Sequence, residues 1–333
     1  MTDPSLPSAI TTCLARFGMT GSRVTPLTPD ASDRRYYRVQ VPQGPSAVLA
    51  LHTAAFAPGS LPFSTVSALF AAMPLPVPHI RHEAADLGIL VLDDLGDVTL
   101  QAHTGSAPDS RHLALYERAV DHLAVLQRRG ADLADARLLP YTLAFDLQKL
   151  MWEMDFFITH FLEGFRGIAI APPARTELRE ELQTICGELA AEPRVLCHRD
   201  YHSRNLMVEA DDLFIIDFQD ARMGPNTYDL VSLLRDSYVD IPSEMFDRLA
   251  TRFRAAIGDT ADASTFAARF DLMGVQRNLK ALGTFGYQAV SRANPAYAQY
   301  VPRTLEHVRH AFARQPRFTR LRGVLAPLVT ELA

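Results

Sequence analysis

Lysine is almost missing from this chain. Of 33 Lys and Arg residues only Lys149 and Lys280 are lysines, which leaves 31 arginines, and residues 1–148 contain no lysine at all. A GC-rich genome explains such a bias without any function. Cysteine is scarce too: Cys13, Cys186 and Cys197 are odd in number and lack both paired spacing and a histidine cluster at zinc-ligand distances. That excludes a disulfide framework and a cysteine-rich zinc site, and it fits a reduced, cytoplasmic setting. No apolar run approaches the roughly 18 residues that span a bilayer. The first residues, MTDPSLPSAITTCLARFG, lack the basic start and apolar stretch of a signal peptide. An excess of positive charge is also lacking. A net charge of −5 gives no attraction to nucleic acid or to an anionic membrane surface. What remains is ordinary globular material: 333 residues, 48% apolar and 21% charged, enough for a sizeable core in one or two domains.

Val195 to Asp229, VLCHRDYHSRNLMVEADDLFIIDFQDARMGPNTYD, carries the chemistry. Val195–Cys197 is a short apolar run bounded by charge, which reads as a buried strand. His198, Arg199 and Asp200 follow, and Asn205 stands five positions after the aspartate. Leu206–Val208 and Leu213–Ile216 read as a hairpin turned by Asp211 and Asp212. Asp217-Phe218 ends the second strand. Such a hairpin is expected to bring Asp200, Asn205 and Asp217 towards one edge. Phosphoryl transfer needs this set: one carboxylate to orient or deprotonate a hydroxyl, and a carbonyl oxygen with a second carboxylate to hold magnesium. The spacing resembles the catalytic and metal loops of the protein-kinase-like superfamily. Gln219 in place of glycine after Asp-Phe, and His202 two residues after Asp200, resemble its aminoglycoside phosphotransferase and choline kinase branch.

Around this stretch the hydrophobic pattern predicts an α+β protein. Leu6, Ile10, Leu14 and Phe17 mark a helix over residues 5–17 that Gly18 stops. Strands are expected at 24–27, 36–41, 47–51 and 88–92, with a turn-forming loop over 28–33 and a short helix at 64–73. Pro74, Pro76 and Pro78 hold the next segment extended. From Asp109 or Ser110, either of which can cap a helix, the chain turns helical. Helices are expected to about Arg129, then at 144–165, 175–191, 228–236, 243–257, 264–288 and 303–314. The methionine and aromatic stripe of 144–165, Trp152 included, reads as core. The resemblance implies a two-lobed protein-kinase-like fold: a small β-rich lobe over residues 1–93, a larger and mostly helical lobe over 94–333, and a hinge at about 92–97. Backbone groups there, at Asp93 and Leu95, would bind adenine.

Most kinases of the superfamily pair a lysine on the third strand of the small lobe with a glutamate on the following helix. Ala50 occupies that lysine position here. No acidic residue occurs between Asp33 and Glu83, so the partner is absent as well. Either the protein is a degenerate pseudokinase, or arginines neutralise the phosphates. Arg34, Arg35 and Arg38 are the candidates, because guanidinium binds phosphate oxygens bidentately and stays charged. Retention of Asp200, Asn205 and Asp217 favours the active reading.

Further motifs resemble the bacterial anomeric kinases of N-acetylmuramate and N-acetylglucosamine. They are Asp30-Ala31-Ser32 before Arg34-Arg35-Tyr36, Asp93-Asp94-Leu95-Gly96-Asp97, HRDYHSRNLM (198–207), IDFQDA (216–221), Gly224-Pro225 before Tyr228–Leu234, and Gln276–Lys280 with Gly283 and Phe285, then Pro302-Arg303. The resemblance implies ATP and Mg2+ as cofactors and transfer of the γ-phosphoryl group to the C1 hydroxyl of an amino sugar, giving an α-1-phosphate in cell-wall sugar recycling. Asp200 would be the base or orienting carboxylate, and Asn205 and Asp217 the magnesium ligands. His202, Arg204, Asp220, Arg277 and Lys280 would meet the acceptor, and Asp229 would support the catalytic loop through hydrogen bonds. The expected partner is a small molecule, and the expected state a monomer or weak homodimer. From Leu272 to Phe318 seven basic residues face one acid, Glu306, which suits an anionic acceptor better than a polycationic one. For Arg277 and Lys280, three apart on one helix face, a solvated basic face is an equal alternative. The competing acceptors are aminoglycosides and amino alcohols. For a choline-type cation Tyr287, Tyr297 and Tyr300 would supply an aromatic cage.

Overall fold

The computed structural model describes residues 6–27, 34–210 and 212–333. The loop over 28–33, with Asp30-Ala31-Ser32, lies outside the described residues, as do Ser5 and Asp211 of the hairpin turn. The chain divides into two compact units, one of Met1–Val98 with Met207–Gln219, the other of Thr99–Leu206 with Asp220–Ala333.

The first unit is built on an antiparallel sheet in the order β1-β2-β3-β5-β4. The strands are β1 (Arg23–Leu27), β2 (Arg35–Gln40), β3 (Ala47–Leu51), β4 (Ile80–Ala84) and β5 (Ile89–Asp93). On β2 the expected alternation holds: Tyr37 and Val39 are buried and Arg38 faces the other way. Strands β3 and β5, two of the three inner strands, are apolar nearly throughout and buried along almost their whole length. Helix α1 (Ser8–Arg16) lays Ile10, Cys13 and Leu14 against Val39, Leu49 and Val91. Helix α2 (Pro62–Ala72) turns Phe63 and Phe70 onto the ring of Phe218, with centroids 4.8 and 5.5 Å apart. The sequence reading missed β4, whose pairing with β5 is interrupted by a bulge between Ile80 and His82. A bulge destroys the strict alternation that marks a strand. After strand β6 (Arg194–Cys197) of the other unit come β7 (Leu206–Glu209) and β8 (Asp212–Ile215). Their hairpin joins the first unit by Val208 N–H donating to Val98 O and Ile215 N–H to Pro76 O, each at 2.8 Å.

The second unit is helical, so the whole is α+β, with a small sheet unit and a larger helical one, as the pattern predicts. In chain order it holds α3 (Leu100–Thr104), α4 (Leu113–Asp132), α5 (Leu139–Thr142), α6 (Leu147–Phe157), α7 (Pro172–Ala191), α8 (Tyr228–Leu234), α9 (Ser243–Ile257), α10 (Ala263–Gly286), α11 (Val301–Arg314) and α12 (Thr319–Leu325). Side-chain caps start several of them. Asp109 caps the turn before α4, and Asp146 and Asp262 accept from Lys149 N and Thr265 N to open α6 and α10. Helix α10 is the axis, buried on nearly all sides between α6, α8 and α11. Gly283 permits this closeness, since a Cβ there would stand 2.8 Å from Phe157 Cα. Strand β9 (Arg222–Pro225) pairs antiparallel with β6. The sequence reading missed it because Arg-Met-Gly-Pro shows no apolar alternation.

Trp152 corrects an expectation. It is 54% exposed, because the buried stripe of α6 runs through Leu150, Glu153, Met154 and Phe157 and position 152 falls outside it. The stripe itself contains an acid in place of the expected tryptophan. The three cysteines are buried and unbridged. Among the described residues no helix is long and apolar enough to cross a membrane.

Candidate active site

The loop His198–Asn205 leaves β6 through Arg199, a non-glycine residue at φ 88°. A left-handed conformation at such a residue costs on the order of 1–3 kcal/mol and persists only where its surroundings enforce it. Two buried carboxylates, one opening α8 and one just past its end, hold the loop, the first of them at Arg199 itself. Asp229 accepts from the backbone N–H of His198 at 2.6 Å and of Arg199 at 2.9 Å, the support expected of it. Asp236 accepts from Ser203 N at 2.9 Å and Tyr238 N at 2.8 Å. The sequence reading missed Asp236. Its signal was a second aspartate seven residues after the first, just beyond the apolar run that forms α8. Within the loop, Asn205 Nδ2 donates to Asp200 O at 2.8 Å, and His202 N to the same oxygen at 3.1 Å.

Asp200 stands among cations. Lys280 Nζ lies 2.8 Å and Arg277 Nη2 3.4 Å from its Oδ1, both from α10, and Arg199 Nε lies 3.7 Å from Oδ2. Burial alone would raise the Asp200 pKa, but Lys280, Arg199 and Arg277 together hold it well below the usual carboxylate range. Arg277 is fixed by a second bond, from Nε to Ser232 Oγ at 3.0 Å. The solvated-face alternative for this pair therefore fails: their side chains are only 9% and 14% exposed. Asp200, His202, Ser232, Tyr238, Arg277 and Lys280 border a cavity of about 70 Å³. Burial pushes the His202 imidazole down to about 3, so it is neutral there. Its Nδ1 has no hydrogen-bond partner among the described residues.

Arg204 and Asp220 are engaged elsewhere. Arg204 donates to Gln101 Oε1 at 2.8 Å and to the Tyr300 hydroxyl at 2.6 Å, and its guanidinium lies 4.1 Å from the centre of the Tyr238 ring. Tyr297 and Tyr300, two of the three tyrosines considered for a cation cage, thus border a box that Arg204 already fills. Tyr287 faces Phe156 and His160 instead. Asp220 pairs with Arg199 at 2.6 Å and is half-exposed.

In the first unit Asp217 takes φ 62° at the end of the hairpin, and Gln219 Nε2 donates to its Oδ1 at 2.7 Å. Tyr36 stands opposite Ala50 across β2 and β3. Burial raises the Tyr36 pKa, with Arg34 lowering it and Asp217 raising it, which places those two charges around the same ring. Arg35 is exposed. Arg38 is paired with Asp94 at 2.8 Å and Asp97 at 2.6 Å, and donates to Gly96 O at 3.0 Å. Asp93 binds Arg81 at 2.6 Å and His79 at 2.7 Å, and Leu95 is buried. The amide oxygen of Asn205 and the carboxylate of Asp217 are hard oxygen donors, as magnesium requires. The bond from Asn205 Nδ2 fixes which way that amide faces.

Residues 23–265 match the model of the phosphotransferase enzyme family (APH). An N-acetylmuramate/N-acetylglucosamine kinase of Neisseria meningitidis serogroup B is 32% identical over 308 residues, covering 91% of this chain and 89% of that protein. A protein of the same name from Pseudomonas aeruginosa is 31% identical over 314 residues, covering 92% and 89%. Among solved structures, the choline kinase LicA from Streptococcus pneumoniae matches with a TM-score of 0.59 at 13% identity, over 90% of this chain and 97% of that one. That likeness establishes the protein-kinase-like fold and nothing about the acceptor.

Proposed function

The chain belongs to the phosphotransferase enzyme family, and on that footing we propose that it transfers the γ-phosphoryl group of ATP to the anomeric hydroxyl of N-acetylmuramate or N-acetylglucosamine, giving the α-1-phosphate. Two relatives of that name at 31–32% identity over nine-tenths of the chain favour the acceptor class. The observation that carries the reading is the cationic flank of Asp200, which would repel an aminoglycoside or a quaternary amine. The box filled by Arg204 weighs in the same direction, because an amino alcohol finds no open aromatic cage there.

Asp200 orients the acceptor hydroxyl and receives its proton. His202, Arg277 and Lys280 line the acceptor side, while Asp220 acts through Arg199, with which it pairs, and Arg204 anchors the loop to Gln101 and Tyr300. Asn205 and Asp217 would hold magnesium, which when bound would neutralise phosphate oxygens. Arg34 and Arg35 neutralise the triphosphate, Arg38 braces the hinge acids, and the backbone at Asp93 and Leu95 receives adenine.

The test is ADP release from ATP and magnesium with each sugar, followed by phosphorus NMR of the product. A phosphate on C1 and loss of turnover in Asp200→Ala are expected. No ADP release with any amino sugar, despite measurable ATP binding, would support a nucleotide-binding pseudokinase. A product phosphorylated elsewhere on the ring would refute the anomeric assignment.

A further inference from the structure

Lys280 is the more unusual of the two α10 cations. It is one of two lysines in the chain, largely buried, and its sole hydrogen-bond partner among the described residues is Asp200 Oδ1 at 2.8 Å. An ammonium carries three donors, so two are left facing the cavity beside it. That cavity, bordered also by His202, Ser232 and Arg277, is polar and has room for small oxygen-bearing groups. Arg277 meets the same Oδ1 but is held back at 3.4 Å by its bond to Ser232. It is fixed, whereas the lysine hangs on a flexible stem.

We propose that Lys280 is a catalytic cation supplied by α10, which yields Asp200 Oδ1 to the acceptor hydroxyl and then binds the oxygens of the phosphoryl group as it is transferred. The proposal rests on the kinase reading above. The geometry leads there because the acceptor oxygen must sit within hydrogen-bond reach of Asp200, and the phosphorus within ~3–3.5 Å of that oxygen. A cation 2.8 Å from the same carboxylate oxygen is therefore beside the reacting atoms. In the step itself the bond from acceptor oxygen to γ-phosphorus forms and the bond from phosphorus to the β,γ-bridging oxygen breaks, its electron pair leaving on ADP. The hydroxyl proton passes to Asp200 and on to solvent, while Lys280 keeps its proton throughout. Its charge offsets the negative charge gathered on the acceptor and equatorial oxygens. The third strand, which carries Ala50 at the lysine position, supplies no such charge.

The experiment compares wild type, Lys280→Ala, Lys280→Met, which keeps the stem, and Lys280→Arg. It measures kcat and both Michaelis constants, and the affinity for ADP with aluminium fluoride and the sugar as a planar mimic of the phosphoryl group. Expected for Ala and Met are a fall in kcat of about 10²–10³, as for removal of one transition-state donor, with both Michaelis constants within about threefold, loss of the aluminium fluoride complex, and partial recovery in Arg. A kcat within about threefold of wild type would overturn the proposal. So would a raised Michaelis constant for N-acetylmuramate alone with kcat kept, which would make Lys280 a reader of the acceptor carboxylate. Loss of fold in both Ala and Met variants would make it structural and overturn the proposal equally. The wild-type arm separates the two readings: no turnover of any amino sugar there sinks the function, whereas turnover that Lys280→Ala leaves intact sinks only the lysine.

Discussion

Replacing Asp229 by alanine should loosen the catalytic loop more than any change made within it. The carboxylate takes two backbone N–H groups, at His198 and Arg199, at 2.6 and 2.9 Å in a site closed to water. Each donor left unmatched in such a site costs ~1–3 kcal/mol, which brackets the loss at roughly 2–6 kcal/mol. Burial raises the Asp229 pKa, so removing the charge returns part of a desolvation penalty, and about 2–4 kcal/mol is expected. The same bonds hold Arg199 at φ 88°, a conformation it would abandon without them. A displacement of about 1 Å in Asp200 would lower kcat by about 10²-fold. Asp229→Asn keeps one acceptor oxygen and should lose about half as much stability. Urea unfolding, kcat and hydrogen exchange at the 198 and 199 amides test the chain of reasoning together. A variant within about 0.5 kcal/mol of wild type, with those amides still protected, would refute it.

Three further outcomes are expected. Burial, with Arg235 and Arg303 nearby, pushes His307 down to about 3 from 6.5. Its neutral form is therefore favoured in the fold, stability is full above pH 6.5, and it falls by ~1.4 kcal/mol per unit below that. At pH 5 this amounts to about 2 kcal/mol. His307→Gln should flatten that part of the stability curve, and an unchanged slope would contradict the assignment. Two glycine-to-alanine changes should have opposite signs. At Gly286 a Cβ meets His160 O and Phe161 Cα, costing about 1–3 kcal/mol or more. At Gly187 in α7 it meets nothing within 4 Å and should gain about 0.5–1 kcal/mol, both read from denaturant midpoints. The single tryptophan, with Lys149 Nζ 3.8 Å over its ring and half its surface in water, should be quenched readily by acrylamide; protected emission would return Trp152 to the core.

How much of the site was legible depended on sequence distance. Asp200, Asn205 and Asp217 lie close in sequence on a strand, loop and hairpin whose apolar runs mark their own ends, Asp229 opens the helix that follows, and their spacing is what carries the resemblance. Contacts between distant segments leave no such mark. The Lys280 bond to Asp200 spans eighty positions. The box around Arg204 is drawn from Gln101, Tyr238, Tyr297 and Tyr300. Arg38 was read as a phosphate ligand because nothing local shows that Asp94 and Asp97, more than fifty residues on, would take its guanidinium. Strands β4 and β9 were lost for a different reason: one is bulged and the other is four residues without alternation. The longer helices, which have 3.6-residue periodicity, are legible to within a few residues at their ends, whereas the short α3, α5 and α12 carry too few turns to show a period.

The missing strand lysine and the missing helix acid are physically one absence. Ala50 is 2% exposed and faces Tyr36 across the strand pair. An ammonium there would be desolvated, and α2 offers it no carboxylate, so a lysine without its partner would be a buried, unpaired charge. The pair is stable only together or not at all. Exposed or half-buried arginines at 34 and 35 escape that condition, because water solvates them when no phosphate is bound. Lys280 meets the condition differently, with Asp200 2.8 Å away as its counter-charge. A site built this way needs no dedicated acid in the small unit. On the function proposed above, the carboxylate assigned to the chemistry would also serve as counter-ion in the resting state to the three cations that converge on it.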